Sequence, residues 1–399
     1  MTSTQPHKQP PRFLRRARAG LALALGLLLA APVQAASGDM HLLIGSYTHD
    51  SSSPGVLRLR FDPASGQIAE RPLQTLASDN PSWLLLDRRR GRLYATNENA
   101  PGHADPVGRV SAWRLDDEGR FQPLGRTPSL GDEPTHASLS PDGRYLFVSN
   151  YGSRANPGGQ LAVMPLGEAG EPLPVTQLAR HQPSGAHPRQ QGAHVHQALF
   201  APDGKRLWVS DLGADQLVAY RYDPAQRERP LSLDEAASLT LPPGSGPRHL
   251  AFSADGRHAW LTLELSAQVA QLAVHDGRLQ LRELIDLAEP GAANRHSPGA
   301  IRPSSDGRFL YVTDRGEANR ILVYAIAADG RLQLLQKRDS EGREPRELAI
   351  APDGRFLLVA NQFGDSLVVF RRDPASGLLG ETVQRLRLAR PSAIEFFAP

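Results

Sequence analysis

SPDGRYLFVSN, residues 140–150, decides how the chain folds, because it recurs. APDGKRLWVSD (201–211), SADGRHAWLTL (253–263), SSDGRFLYVTD (304–314) and APDGRFLLVAN (351–361) repeat its pattern, and DRRRGRLYATN (87–97) is a looser copy. Asp-Gly supplies the positive φ of a tight hairpin, and the apolar run after it reads as a buried strand. A second set of turns centres on Gly66, Gly119, Gly170, Asp223, Gly277, Gly330 and Gly377. Their spacing of 47 to 54 residues matches one four-stranded blade, so seven copies imply seven blades.

A third repeat precedes the first. NPSWLLL, EPTHASL, GPRHLAF, SPGAIRP, EPRELAI and RPSAIEF begin at residues 80, 133, 246, 297, 344 and 390, with AHVHQALF (193–200) as the variant copy. These are the expected innermost strands. The last has no hairpin after it, and HLLIGSYT (41–48) has no innermost strand before it. The fold class expected is therefore all-β, a seven-bladed β-propeller whose ring is closed by Pro391 to Phe397 completing the blade begun at His41, which removes open sheet edges.

The N-terminus reads differently. Lys8, Arg12, Arg15, Arg16 and Arg18 precede an apolar run from Leu21 to Ala31, and Val33, Gln34 and Ala35 end it with a cleavage-like site. Residues 1–35 are the pattern of a secretory signal peptide, better suited to general secretion than to the twin-arginine route. Residues 36–399 form the propeller domain, and the expected location is the periplasm. Removing the leader changes the formal charge from +3 to +3 − 5 = −2, because the leader holds five Lys or Arg and no Asp or Glu. The basic balance of the whole chain thus gives no support for nucleic-acid binding. With no cysteine, disulfides, thiolate metal sites and cysteine nucleophiles are excluded. No run in the mature chain reaches membrane-helix length.

Innermost strands leave one channel mouth and second strands return to it. Ser82, Thr135, His196, Arg248, Gly299, Arg346 and Ser392 start the former. The latter end in Ser46 and Tyr47, Asn97 and Glu98, Asn150 and Tyr151, Asp211, Glu264, Asp314 and Arg315, and Asn361 and Gln362. Singly, each such residue is expected to satisfy its own loop. Collectively, buried charges need partners or a ligand. The links before His196, Arg248 and Ala300 are the longest, with 34, 33 and 30 residues from Gly170 to Gly204, Asp223 to Gly256 and Gly277 to Gly307. That places an off-centre pocket over His194, His196, Arg248, Glu264 and Arg315.

RQQGAHVH (189–196), SDLGAD (210–215), GSGPRHLAFSADG (244–256), LEL (263–265), DGRFLYVTDRG (306–316) and NQFGDSLVVFRRDPASGLL (361–379) together resemble the propeller-type lactonase family, which includes bacterial phosphogluconolactonase and fungal carboxymuconate lactonizing enzyme. The resemblance covers nearly all of residues 40–399. It implies metal-independent chemistry on a lactone, with no cofactor, and a functional histidine at His194 or His196. It also implies functional roles for Arg248, Arg315 and Glu264. Ala300 departs from the acidic residue frequent there. The catalytic candidates are His196, Arg248, Glu264 and Arg315. The substrate-binding candidates are His194, Arg189, Tyr151, Asp211, His249, Arg346 and Gln362.

Lactone hydrolysis needs an activated water and a stabilised oxyanion. Glu264 or a histidine is the expected base, and Arg248 and Arg315 the expected carbonyl ligands. There is no G-x-S-x-G elbow for a serine nucleophile. His194 and His196 alternate with Val195, so a strand would turn both to one side, where they could ligate a metal, but no H-E-x-x-H set accompanies them. A calcium on Glu98, Asn150 and Asp211 is a further reading. An exported protein points to an unphosphorylated sugar lactone such as glucono-1,5-lactone. The rivals are a phosphorylated sugar lactone, a muconate-type cycloisomerisation, whose diacid needs excess positive charge, and a non-catalytic propeller binding a protein or glycan.

Overall fold

The computed structural model describes residues 39–152, 160–288 and 295–398. The leader reading at residues 1–35 lies outside them. Seven antiparallel sheets account for the strands described, each sheet running outward from one innermost strand. Blades 2 to 7 begin with Pro81–Asp87, Asp132–Leu139, Val195–Phe200, Pro247–Phe252, His296–Pro303 and Pro345–Ile350. Blade 1 takes its innermost strand from the far end of the chain: Pro391–Phe397 pairs antiparallel with Met40–Ser46. Each innermost strand touches the next, and Pro345–Ile350 touches Pro391–Phe397, so the circle is complete. Among the described residues no helix is long and apolar enough to cross a membrane.

The second strands carry the apolar runs that follow each Asp-Gly, and they are buried on both faces. Their side chains form seven apolar clusters among the described residues, one at each blade interface. Leu42, Phe61, Phe356 and Leu367 join blades 7 and 1, and Trp208, Leu217, Leu261 and Leu272 join blades 4 and 5. The remaining interfaces are built in the same way.

The evenly spaced hairpins have a second use. Gly119, Gly170, Gly277, Gly330 and Gly377 all have positive φ, as a tight turn demands. Each also offers its carbonyl to a side chain of the preceding blade: Arg58 to Gly119, Tyr94 to Gly170 at 3.0 Å, Arg206 to Gly277 at 2.9 Å, Trp260 to Gly330 at 3.0 Å and Tyr311 to Gly377 at 2.7 Å. A Cβ on Gly377 would strike the Phe309 ring of blade 6. Blade 4 departs from the pattern. Its turn is a longer loop in which the Asp223 N–H meets the Pro230 carbonyl, and the Tyr145 hydroxyl instead donates to the Arg227 carbonyl at 2.8 Å.

Every innermost strand slips against its second strand at one place, just inside the channel mouth. The slips fall between Pro81 and Trp83, Pro134 and His136, Val195 and Gln197, Pro247 and Leu250, Pro298 and Ile301, and Pro345 and Glu347. In blade 1 the slip leaves Ser392 unpaired. A bulge re-aims the residue it leaves unpaired. The residues so released are Ser82, Thr135, His196, Arg248 with His249, Gly299 with Ala300, Arg346 and Ser392, one set per blade.

Closure by residues 391–397 predicts that a chain truncated after Arg390 exposes the inner edge of Met40–Ser46. Size-exclusion chromatography and thermal unfolding should show an aggregated or strongly destabilised product. A soluble truncation with the full-length melting temperature would refute the closure argument.

Candidate active site

The bulges bring one residue per blade to the mouth from the innermost strands. The second strands supply another by a simple rule. The residue paired opposite the proline, or Val195 in blade 4, at the start of each innermost strand is Ser46, Asn97, Asn150, Asp211, Leu263, Asp314 or Asn361. Most of these serve the local loop. Asn97 donates to the Asp79 carbonyl at 2.6 Å, and Asn361 to the Ser340 carbonyl at 3.0 Å. Asp314 holds His296 at 2.7 Å and Arg320 at 3.0 Å. The next residue along faces the mouth: Tyr47, Glu98, Tyr151, Leu212, Glu264, Arg315 and Gln362.

Glu264 is the centre of this arrangement. Arg189 meets its Oε1 at 2.8 Å, while Arg248 and Arg315 meet its Oε2 at 3.1 and 2.8 Å. Glu264 and Arg315 are almost fully buried, and Arg248 is 1% exposed. Burial pushes the Glu264 carboxyl up, but Arg315, Arg248 and Arg189 outweigh it and hold the group well below the usual carboxylate range. Burial, reinforced by the neighbouring Arg315 charge, pushes Arg248 down to about 9. Arg315 is braced by the Ser297 carbonyl at 3.1 Å and the Ser297 hydroxyl at 3.0 Å. Its path explains Gly299, whose Cβ would lie 2.6 Å from Thr313 Oγ1 and 3.3 Å from the Arg315 side chain. Arg315 also reaches Glu344 at 3.6 Å.

Arg189 arrives from the long link before His196, on a short 3₁₀ turn, Pro188–Gln190. The turn is anchored by buried Gln190, which donates to the Leu212 carbonyl and to Asp215, both at 2.7 Å. Asp215 also accepts from the N–H groups of Gly244 and Gly246 at 2.8 Å each, so it ties together the loops that carry Arg189 and Arg248. Arg189 donates to the Tyr151 hydroxyl at 2.7 Å.

The two histidines of HVH both reach Tyr151, but not by strand alternation. His194 precedes the strand, stacks on Tyr151 with ring centroids 4.6 Å apart, and contacts the Tyr151 carbonyl through Nδ1 at 2.7 Å. His196 sits at the slip and meets the same ring edge-on at 5.7 Å. Deeper in the channel, His196 packs on His249 at 5.0 Å, His249 lies 6.1 Å from His136, and Trp83 lies against His136 at 4.3 Å. Burial and the charge of Arg248 push His196 and His249 well below the ordinary imidazole value. Burial with Arg302 takes His136 down to about 3.

Across the mouth, Glu98 accepts from the Tyr47 hydroxyl at 2.7 Å and from Arg346 at 3.2 Å. The site cleft of 390 Å³ is lined by Arg189, Glu264, His296, Ser297, Arg315 and Glu344, among others. A larger groove of 610 Å³ lies by Arg257, Gln271 and Arg331 on the outer strands, away from the convergent polar groups.

The structure thus brings His196, Arg248, Glu264 and Arg315 together, with Arg189, Tyr151 and His194 beside them. Arg346 stands across the mouth and His249 below it. Gln362 is buried on a 3₁₀ turn at the rim, its N–H donating to the Glu344 carbonyl at 2.9 Å. Asp211 is not brought to the cleft. It belongs to the strand-pairing ring and is consumed by His181 at 2.7 Å and by the N–H groups of His194, Gly213 and Ala214. The calcium trio is likewise engaged locally: Glu98 with Tyr47 and Arg346, Asn150 with the Ser129 hydroxyl at 2.8 Å, and Asp211 in its own turn. Among the described residues no three His, Asp or Glu side chains converge as a metal site. Glu344 escaped the sequence reading. Its signal is the EPRELAI start, where a non-glycine residue takes a φ of 59°.

The sequence profile of the family described as "Lactonase, 7-bladed beta-propeller" matches residues 41–396. The periplasmic gluconolactonase of Pseudomonas aeruginosa superposes with a TM-score of 0.86 and 46% identity, covering 90% of this chain and 99% of that one. The 6-phosphogluconolactonases of Formosa agariphila and Bacillus subtilis are 29% and 28% identical over 364 and 356 residues. They cover 89% and 88% of this chain, and 99% and 97% of their own lengths.

The three buried imidazoles set a pH test. In the unfolded chain each binds a proton near the ordinary value of 6.5, whereas in the fold each stays neutral. The unfolded chain then holds more protons below that pH, so stability falls as pH drops through 6.5, by up to about 1.4 kcal/mol per pH unit for each imidazole. Glu264, depressed in the fold, adds to the loss only below its ordinary 4.5. Glu395, which burial raises to about 7, opposes one imidazole over the same window. Urea midpoints measured from pH 8 to pH 5 should still decline between about 6.5 and 5 in wild type, and more steeply in Glu395→Gln; a flat midpoint in that variant would mean the folded imidazoles are protonated.

Proposed function

Since this chain belongs to the seven-bladed β-propeller lactonase family and is a lactone hydrolase, we propose that its substrate is an unphosphorylated sugar lactone, glucono-1,5-lactone being the type, opened to the aldonate in the periplasm. The observation that carries the reading is the 46% identity with a periplasmic gluconolactonase, and the geometry of the mouth agrees with it. Arg189, Arg248 and Arg315 are matched to Glu264, Arg315 also to Glu344, and Arg346 to Glu98. Each guanidinium is thereby fixed in direction, although the four outnumber the three carboxylates. A neutral lactone needs only directed donors. The likeness to a periplasmic gluconolactonase over 90% of the chain supports both the substrate and the compartment, and so does the leader-like sequence at residues 1–35.

In this reading the guanidinium groups of Arg315 and Arg248 take the lactone carbonyl and the oxyanion that forms on it. Donors fixed in a dry site stabilise developing charge without reorganising. Glu264 is their anchor rather than the base: a carboxylate gripped by three arginines gives up basicity in proportion to the grip. His196 is the base. Its imidazole is neutral at working pH and its Nδ1 has no protein hydrogen-bond partner; burial and Arg248 lower its basicity, and the charge of Glu264 opposes them in part. His196 accepts a proton from water as the oxygen bonds to the carbonyl carbon. It returns that proton to the ring oxygen as the carbon–oxygen bond breaks. Tyr151, His194, Arg189 and Arg346 orient the sugar hydroxyls.

Acid release from glucono-1,5-lactone, followed against the spontaneous rate, tests the assignment. His196→Gln should lower kcat by roughly 10²-fold or more. Arg248→Lys keeps the charge but loses the planar fork, and should also lose most of the rate. Circular dichroism checks that each variant is folded. Folded variants with wild-type turnover would remove these residues from the mechanism. For the compartment, N-terminal sequencing of protein from the periplasmic fraction should read from about residue 36, and intact Met1 in the cytoplasm would reverse that part of the reading.

A further inference from the structure

A second cavity opens on the same face of the ring, beside the site cleft. It has a volume of 430 Å³ and is lined by Ser51, Ser52, Arg343, Phe363, Asp365 and Arg390, among others. Glu344 lines the cleft and Arg343 lines this cavity, so one step of backbone divides them. Both volumes fall in the range of small-molecule sites.

Phe363 makes this cavity unlike the other hollows of the surface. It is 47% exposed, the one exposed aromatic side chain among the described residues, since every other Phe, Tyr and Trp is buried or half-buried. It is also held in place. The turn that carries it is stitched to the dividing residues by three hydrogen bonds. The Gln362 N–H donates to the Glu344 carbonyl at 2.9 Å, the Gly364 N–H to the Arg343 carbonyl at 3.0 Å, and the Arg343 guanidinium to the Phe363 carbonyl at 2.8 Å. The Arg390 guanidinium lies 5.4 Å from the Phe363 ring and 5.7 Å from that of Tyr47, and Arg346 lies 5.2 Å from Tyr47 on the channel side. Arginine and aromatic rings therefore alternate from the half-buried Arg346 out to the exposed Phe363. A fixed aromatic side chain offers apolar contact at little cost in conformational entropy.

A sugar ring has an apolar face of C–H bonds and an edge of hydroxyls. Phe363 matches the face, and Ser51, Ser52, Asp365 and Arg343 match the edge. We propose that this cavity is an outer subsite for a second sugar ring glycosidically attached to the lactone, so that the substrates include lactones of oxidised disaccharides. The proposal rests on the sugar-lactone reading above and extends it across the Arg343–Glu344 step. Phe363 binds the distal ring and takes no part in the chemistry.

The probes are cellobiono-1,5-lactone and glucono-1,5-lactone. The wild-type protein should hydrolyse both, with a lower KM for the disaccharide lactone. Phe363→Ala and Phe363→Leu should each lower kcat/KM for cellobiono-1,5-lactone about 10-fold through KM, as expected for a lost stacking contact of this size, and leave glucono-1,5-lactone kinetics unchanged. Phe363→Trp should restore the preference. Turnover of glucono-1,5-lactone without turnover of the disaccharide lactone would overturn the subsite and leave the sugar-lactone reading standing. Equal kinetics for wild type and Phe363→Ala on both substrates would do the same, and so would an equal loss on both. Turnover of neither probe would overturn the sugar-lactone reading and the subsite with it.

Discussion

A blade whose second and third strands are apolar on both faces cannot bury itself. Leu42, Leu43 and Ile44 are consecutive, fully buried residues of one strand, and strand geometry sends them to opposite faces in turn. Each blade needs a neighbour on either side, and only a ring gives every blade two. The seven apolar clusters lie between blades for this reason, and the terminal blade has to be shared between the two ends of the chain. The ring in turn forces seven innermost strands toward one axis. Near the mouth each of them slips against its second strand, and the slip re-aims the residue it leaves unpaired. The functional geometry is a by-product of closing the circle.

That geometry concentrates charge where water is scarce. An isolated buried carboxylate or guanidinium would be costly, and the mouth avoids the cost by pairing: Glu264 with three arginines, Glu98 with Arg346 and Tyr47. The imidazoles below solve the same problem by staying neutral. The result is a set of donors already oriented and already desolvated, which is what a reaction that builds negative charge on a carbonyl oxygen requires.

Much of this was legible in the chain. The Asp-Gly hairpins and the evenly spaced second turns count blades because local turn chemistry is written in local sequence. The unmatched copies at residues 41–48 and 390–396 carry the closure. The longer links pointed to the sector where Arg189, Arg248, Glu264 and Arg315 meet. What sequence could not separate was two adjacent positions at each strand end. Asp211 and Glu264 both follow an apolar strand, and both look available. Asp211 stands opposite the start of its innermost strand and is drawn into its own turn, whereas Glu264 stands one residue further and reaches inward. The distinction depends on pairing register, which is non-local. The HVH pair reached a shared surface by another route: alternation predicted one face and both rings do meet Tyr151, but His194 precedes the strand that begins at Val195 and His196 sits at a slip. Glu344 and Phe363 belong to rim turns whose meaning appears only when neighbouring loops meet.

The shared first blade also imposes a timetable. Met40–Ser46 is among the first strands to leave any machine that makes or moves this chain, and its inner partner ends at Phe397. Phe397 is added 397 − 46 = 351 residues after Ser46, which at a synthesis rate of roughly 5–20 residues per second is a delay of about 20 to 70 seconds. For that interval an apolar strand has one edge without a partner. Blades 2 to 7 can stack as they emerge, but none of them has a closed ring to stabilise it. The ring therefore closes only once Pro391–Phe397 is available to pair with Met40–Ser46.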